Sequence, residues 1–137
     1  MLSGSCLCGK VKYEIHGPPL LMYYCHCGMC RKATGSSFAT NVAVRAQDFA
    51  LVSGRDLVLF HESSPNMRRH FCSACGSPIY SQRESTKHIV SVRCGTLDGE
   101  PSVRPAIHAY VASKAPWVEI CDELPQAAER FDWPRPQ

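Results

Sequence analysis

Apolar and polar residues alternate along several short stretches of the chain, which is the pattern of half-buried β-strands. The clearest case is residues 10–16, where Val11, Tyr13 and Ile15 are separated by charged residues. Similar stretches bounded by turn signals predict strands over residues 20–24, 37–44, 56–62, 67–71, 79–82, 88–94 and 107–111. Only two segments predict helix, the run after Cys27 through Lys32 and residues 125–131. We therefore expect a mostly β protein.

The length and composition are those of an ordinary globular domain. The chain has 137 residues, 45% of them hydrophobic and 20% charged, which predicts a single domain over residues 1–137. No apolar run approaches the roughly 20 residues of a membrane helix, and the N-terminal segment lacks the apolar core of a signal peptide. We expect a cytoplasmic protein with reduced thiols and no membrane partner.

The cysteines are the first sign of chemistry. Seven of the nine fall in tight groups, which are Cys6 and Cys8; Cys25, Cys27 and Cys30; and Cys72 and Cys75. In a reducing compartment such clusters favour zinc sites over disulfides. A glycine follows Cys8, Cys27 and Cys75, which is typical of a turn whose amides point at sulfur. Cys94 and Cys121 stand alone, and we expect them to be buried structural thiols.

Seven sulfurs divide naturally into four and three. The two outer pairs, Cys6/Cys8 and Cys72/Cys75, can close a four-ligand structural zinc site. The central triplet would then hold a second zinc with one position open, which is the arrangement of a catalytic metal. Two other divisions stay open: the triplet plus a distant cysteine, or the triplet plus His26. Because His26 lies between two ligands, we expect its ring to point away from the metal and to act as a neighbouring group or proton carrier.

The bound metals would also change the charge of the protein. The formal net charge is +3, but seven thiolates and two Zn²⁺ would bring it to about zero. This weakens the case for a polyanion binder, and we expect no nucleic-acid partner. Three thiolates mute the Lewis acidity of zinc, so the triplet suits an incoming thiol better than water activation.

Five segments together carry a resemblance to a known family. The ordered set GSCLCGKVKYEI, YCHCGMCRKATGSSF, FCSACGSPIY, CGTLD and HAYVASKAPW resembles the glutathione-dependent formaldehyde-activating enzymes, a family that includes centromere protein V. The resemblance implies a β-tent fold of twisted antiparallel sheets stapled by zinc. It also implies a structural zinc on the outer pairs and a catalytic zinc on the triplet. The implied activity is that of a carbon–sulfur lyase or synthase joining formaldehyde and glutathione.

A dicarboxylate thiol such as glutathione needs cationic partners. Arg31 and Lys32 follow the triplet directly, and we take them as candidate contacts for the thiol carboxylates. Arg68 and Arg69 are neighbours on a predicted strand, so at most one of them can face the site. Arg93 lies in an otherwise apolar strand and is expected to be buried and paired.

Other residues near the motifs have weaker predictions. Asp98 is interpreted as a turn residue, with a catalytic base as the alternative. Thr34 and Ser36 offer hydroxyl donors to a ligand or to sulfur. Trp117 is expected to pack in the core or to cover the opening of the tent.

Three function hypotheses follow from the sequence. The leading one is a zinc-dependent enzyme that joins a thiol and an aldehyde at the triplet, with two zinc ions per chain. The alternatives are a non-enzymatic zinc-stapled binding module and a thiol redox or zinc sensor. A homodimer is also expected, because β-rich proteins have edges that can pair.

Overall fold

The computed structural model describes residues 1–132, which form a mostly β structure with one short α-helix. The helix, α1, covers Gly28–Thr34. The strands within these residues are Leu2–Ser5 (β1), Lys12–Ile15 (β2), Leu21–Cys25 (β3), Ala39–Arg45 (β4), Phe49–Ser53 (β5), Val58–Ser64 (β6), Met67–Cys72 (β7), Pro78–Arg83 (β8), Ile89–Arg93 (β9) and Pro105–Ala109 (β10).

The strands form two sheets, and the predicted mostly β, tent-like class is confirmed. The smaller sheet has the order β1-β2-β5, and the larger has the order β10-β3-β4-β9-β8-β7-β6. All pairs are antiparallel except β10 with β3, which is parallel. Strand β6 lies at one edge of the larger sheet, where a second copy could pair; the homodimer stays a prediction.

Each of the eight predicted strand regions contains a strand, but the pattern missed two. In β1 the sequence is LSGS, which has no hydrophobic alternation, and it is held by pairing with β2 from Leu2 opposite Ile15 to Ser5 opposite Lys12. The run FALVS of β5 lacks the polar residues that would mark a strand, and it pairs with the other edge of β2. Both strands are therefore defined by tertiary pairing rather than by local pattern.

The first helix prediction is confirmed with a small shift, whereas the second is wrong. Residues 125–131 form an irregular segment beside β10, with an isolated parallel bridge between Gln126 and His108. The amide of His108 donates to the carbonyl of Pro125, and the amide of Ala127 donates to the carbonyl of His108. The amide of Tyr110 donates to Glu129 in the same way. Pairing the open edge of β10 thus outweighs the helix propensity of this segment.

The hydrophobic core has two parts, and the second part contains the cysteine triplet. The first lies between the sheets and includes Val11, Tyr13 and Ile15, so the inward face predicted for residues 10–16 is confirmed. The second packs Cys25 and Cys30 with apolar side chains of β3, β4 and β9. The only α-helix among residues 1–132 has seven residues, so none there could cross a bilayer.

Candidate metal centres

The outer cysteine pairs meet in one cluster, here called the closed cluster: Cys6, Cys8, Cys72 and Cys75. Its four sulfur atoms lie within 4.8 Å of one another. Cys6 follows β1 of the smaller sheet, and Cys72 ends β7 of the larger sheet. The sulfur of Cys8 is 3.5 Å from that of Cys6 and 3.9 Å from that of Cys72. The cluster therefore joins the two sheets.

Two tight turns bring the closed cluster together. Gly9 has φ +77° and Gly76 has φ +79°, a backbone region that other residues seldom adopt. The amide of Gly9 donates to the Cys6 carbonyl at 3.0 Å, and the amide of Gly76 donates to the Cys72 carbonyl at 2.7 Å. The predicted glycine turns are therefore present in this cluster, although the glycine amides donate to carbonyls rather than to sulfur. Gly28, which follows Cys27 inside the triplet, instead begins α1.

Polar groups around the closed cluster favour its thiolate form. The amide of Val11 donates to the Cys6 sulfur at 3.3 Å. The hydroxyl of Ser77 lies 3.3 Å from the Cys75 sulfur, and this contact is the main reason why the pKa of Cys75 falls to about 5. Hydrogen bonds to sulfur of this kind support a bound metal.

The triplet forms the second cluster, here called the open cluster: Cys25, Cys27 and Cys30. Its three sulfurs lie within 4.8 Å of one another. Cys25 ends β3, Cys27 is the N-cap of α1, and Cys30 lies in the first turn. The cap is made by the Cys27 sulfur, which accepts the Cys30 amide at 3.3 Å. The end of β3 and the start of α1 thus bring the three sulfurs together, and no residue from a distant part of the sequence is needed.

Both clusters suit zinc. With zinc–sulfur bonds of about 2.3 Å, a tetrahedron places its sulfurs roughly 3.8 Å apart, close to the separations in the closed cluster. All nine cysteines are free thiols. The 3.5 Å between Cys6 and Cys8 is far longer than a disulfide bond of about 2.05 Å. The seven sulfurs can hold two soft metal ions, one with four ligands and one with three.

Two buried arginines lie beside the open cluster. Arg69 donates from one terminal nitrogen to the Cys30 sulfur at 3.6 Å and from Nε to the Ser63 hydroxyl at 2.8 Å. Arg93 donates to the Asn41 side-chain carbonyl at 2.8 Å, and its buried Nε has no partner. Both side chains are less than a tenth exposed.

These charges favour a thiolate at Cys30. The thiols of Cys25 and Cys27 hydrogen-bond to the Cys30 sulfur and are the largest causes of its lowered pKa. Arg69 and Arg93 act in the same direction through their positive charge. The open cluster is therefore a buried anionic site faced by guanidinium groups.

A cavity of about 240 Å³ opens from this cluster. Among the described residues, its cationic lining groups are Arg69, Arg83 and Arg130. Other lining residues include Tyr23, Met67, Ser81, Gln82, Ile89 and Phe131. Small-ligand sites commonly measure about 300–1,000 Å³, so this cavity is slightly smaller than that range.

Behind the open cluster lies a chain of hydrogen-bonded side chains. His26 is fully buried, and its Nε2 is 2.8 Å from Nδ1 of His108. Nε2 of His108 is 2.9 Å from a carboxylate oxygen of Asp122. An ionised Asp122 can only accept, so neutral His108 must accept from His26. Nδ1 of His26 is then a buried acceptor without a partner. His26 is not part of the group of three cysteines that could hold a metal ion.

The helix residues proposed for carboxylate binding lie elsewhere. Arg31 donates to the backbone carbonyl of Ser113 at 3.3 Å, and Lys32 is exposed. Neither lines the cavity. The reason is helical geometry: Cys30 occupies the single buried position of α1, and the two following residues are rotated by about 100° each away from it.

The strand arginines behave as predicted. Arg69 faces the open cluster, while Arg68 points outward with its guanidinium 4.9 Å from the Phe60 ring centre. Arg93 is buried, but its partner is the neutral amide of Asn41 rather than a carboxylate.

The smaller predictions near the motifs have mixed outcomes. Thr34 donates to the Cys30 carbonyl at 2.7 Å rather than to a sulfur, and Ser36 is exposed. Asp98 is the turn residue: it accepts from the Ser5 hydroxyl and is remote from the cavity lining.

The core alternative for Trp117 and the burial predicted for Cys121 are both wrong. Trp117 is 70% exposed, and its indole nitrogen donates to the Ser37 hydroxyl at 2.8 Å. Whether it covers the opening of the tent stays a prediction. Cys121 is exposed, since it lies in the irregular segment before residues 125–131. Cys94 is partly buried against the first core, and burial raises its pKa to about 11.

Sequence reasoning missed four residues of the site region: His108, Asp122, Arg83 and Arg130. His108 begins the quoted segment HAYVASKAPW, but no role was predicted for it, and the other three residues lie outside the quoted segments. The alternation of β10, with His108 facing the same side as buried neighbours, was the available signal for one of them.

The fold and site define a class: a two-sheet β protein with one closed and one open cysteine cluster, each able to hold a metal ion. The family model of the glutathione-dependent formaldehyde-activating enzyme matches residues 1–113. The chain belongs to this family.

Two relatives agree with this placement. A Halomonas elongata protein, provisionally named a glutathione-dependent formaldehyde-activating enzyme, is 31% identical over 129 residues, covering 88% of this chain and 81% of that protein. A crystal structure of a Rhodobacter sphaeroides protein is similar with a TM-score of 0.61 and 26% identity, covering 73% of this chain and 91% of that chain.

Proposed function

We propose that the protein is a zinc-dependent carbon–sulfur lyase or synthase that joins a thiol of the glutathione type to an aldehyde of the formaldehyde type. The observation that carries the proposal is the position of the open cluster. Its three sulfurs line a cavity that also presents buried and exposed guanidinium groups. The family name supports the same pair of substrates.

The proposal includes two zinc ions per chain. The closed cluster would hold a structural ion, and Cys25, Cys27 and Cys30 would hold a second. Zinc bound by three thiolates would supply an electrophilic position that favours the thiolate form of an incoming thiol.

The reaction itself is an addition. The substrate thiol loses its proton, and its sulfur attacks the aldehyde carbon. A carbon–sulfur bond forms, the carbonyl π electrons move to oxygen, and that oxygen takes up a proton to give the hemithioacetal. Arg69 lies at the junction of cluster and cavity, where its charge can stabilise the thiolate.

The remaining cationic residues of the cavity give the carboxylates of the thiol a place to bind. Arg83 and Arg130 take this role in place of Arg31 and Lys32, because they line the cavity. A guanidinium can bind a carboxylate through two parallel hydrogen bonds.

His26 has a positioning role in this proposal. Its backbone amide donates to the Ala109 carbonyl at 3.0 Å, and its ring is fixed through His108 to Asp122. These bonds hold the peptide between Cys25 and Cys27 in one conformation, which keeps two sulfurs in place.

The described cysteines are all free, and the proposed reaction consumes a reduced thiol. Both features suit a reducing compartment, so a cytoplasmic location is part of the proposal.

The test is the rate of adduct formation from glutathione and formaldehyde, with the uncatalysed rate subtracted. We expect acceleration by protein that contains two zinc ions per chain, and none by Cys27→Ser. The matched control is Cys121→Ser, which changes an exposed cysteine away from both clusters and should keep the full rate. No acceleration by fully metallated protein would remove this substrate pair.

A further inference from the structure

The two arginines beside the open cluster have no anionic partner of the usual kind. None of the ion pairs among residues 1–132 involves Arg69 or Arg93. Their side-chain acceptors are the Ser63 hydroxyl, the Asn41 amide oxygen and the Cys30 sulfur. Arginine keeps its charge in proteins, and a buried charge without a countercharge is costly. The countercharge must therefore come from the cluster and what binds there.

A count of charges indicates which charge a fourth ligand of the open cluster should carry. Three thiolates and one Zn²⁺ carry a net charge of −1, whereas two guanidinium groups carry +2. The buried site is then one negative charge short. A neutral fourth ligand leaves this deficit, and a single anion removes it.

Resting on the proposed open position, we propose that Arg69 and Arg93 make this position selective for a monoanionic ligand, so that the substrate binds as a thiolate and neutral donors are disfavoured. Arg69 contributes most, because it touches the Cys30 sulfur and also lines the cavity. Arg93 is set deeper, behind Asn41, which itself lines the cavity. These are specificity-determining residues that the cysteine motif does not encode.

The closed cluster shows the contrast. Its sulfurs are contacted by an amide and a hydroxyl, from Val11 and Ser77. No arginine contact to its sulfurs occurs among the residues that the structure describes. A fourth cysteine already supplies the anion there, and Cys8 is exposed to water.

The experiment uses the protein with cobalt in place of zinc, because thiolate-bound cobalt absorbs visible light and reports its fourth ligand. The probes are 2-mercaptoethanol, which becomes a monoanion when it loses its thiol proton, and imidazole, which is a neutral donor. Neither carries a carboxylate, so Arg83 and Arg130 are not tested. The dissociation constant of each probe is measured from the spectrum.

For Arg69→Gln we expect at least about tenfold weaker binding of 2-mercaptoethanol and less than about twofold change for imidazole. Arg69→Lys keeps the positive charge, so its affinity for 2-mercaptoethanol should fall much less. Arg68→Gln is the matched control, since it removes a guanidinium on the opposite face of the same strand. If Arg69→Gln loses equal affinity for both probes, or loses affinity for neither, the proposal is overturned.

A second measurement needs no variant. At a pH well below the pKa of the free thiol, binding as a thiolate releases about one proton per thiol bound to the wild-type protein. Binding without proton release would overturn the inference about charge. If neither probe changes the cobalt spectrum of the wild-type protein, the open position itself, and with it the proposed function, is wrong.

Discussion

The two cysteine clusters differ by one cysteine, and they also differ in their position in the fold and in the residues that surround them. The closed cluster joins segments 64 residues apart, from Cys8 to Cys72, and lies where the two sheets meet. The open cluster is built within six residues, from Cys25 to Cys30, and faces a cavity. The first arrangement suits a structural tie between sheets, and the second suits exchange of a ligand.

The surroundings differ in electrostatics as well. Cys8 of the closed cluster is exposed, so water can solvate the excess charge of four thiolates. Cys25 and Cys30 of the open cluster are buried, where solvation is weak and charge must be balanced locally. Arg69 and Arg93 supply that balance. Ligand number, burial and nearby charge thus vary together.

The largest expected effect comes from breaking the tie between the sheets. Cys72→Ser removes a fully buried cysteine of the closed cluster. Closing a loop of about 64 residues costs roughly 3.7 kcal/mol, which about 10–16 kcal/mol of zinc binding more than offsets. We expect loss of soluble folded protein, measured by circular dichroism and metal content, with Cys121→Ser as control. A soluble Cys72→Ser protein with unchanged melting temperature would mean that the closed cluster is not structural.

A smaller effect on the fold is expected when the open cluster is broken. Cys27→Ser removes one sulfur but keeps a residue that is strongly preferred at a helix N-cap, so α1 should still form. We expect one zinc per chain instead of two, the uncatalysed rate of adduct formation, and a melting temperature lowered by only a few degrees. Metal analysis and calorimetry on the same sample check this. If Cys27→Ser unfolds as completely as Cys72→Ser, the open cluster is as important for folding as the closed cluster, and the proposed difference between them is wrong.

The clusters could be predicted from sequence because their cysteines are marked by residue type and short spacing. Tight groups of cysteines, and the alternation that turns Arg69 inward and Arg68 outward, need little tertiary information. The His108–Asp122 pair and the cavity arginines come from segments that meet only in the folded chain. Helix propensity also failed for residues 125–131, where the open edge of β10 decides the conformation.

A kinetic difference between the clusters should also appear when metal is removed. An ion with three protein ligands and an open position exchanges more easily than one enclosed by four. We expect a chelator to remove one zinc per chain at least about tenfold faster than the other. The first loss should abolish activity while the far-ultraviolet spectrum is kept. A dye that reports released zinc follows both phases, and a single phase would contradict the comparison.

A smaller effect is expected from the side chains that support the open cluster. Asp122→Asn removes the charge that His108 faces at 2.9 Å, yet leaves a side chain of similar size. We expect both zinc ions to be retained and activity to fall several-fold, since the peptide between Cys25 and Cys27 is held less firmly. The cobalt spectrum of the open cluster should shift, which a purely structural surface change would not cause. Glu119→Gln, an acidic change near Asp122, is the control.

The pH dependence of stability provides a second test of the support that His26 gives to the open cluster. Burial is the largest cause of the lowered pKa of His26, so the folded protein keeps this ring neutral while the unfolded chain protonates near pH 6.5. The unfolded state then binds more protons, and the stabilising contribution present above about pH 6.5 is lost as the pH falls towards the folded pKa.

We therefore expect the free energy of unfolding of His26→Gln to fall less steeply between pH 7 and pH 5.5 than that of the wild type, by up to about 1.4 kcal/mol per pH unit. Urea unfolding with parallel metal analysis separates this effect from acid release of zinc. His16→Gln, at an exposed histidine beside Glu14, should leave the slope unchanged. If His26→Gln and the wild type share one slope, the ring behind the open cluster is not held neutral by burial, and its positioning role loses that support.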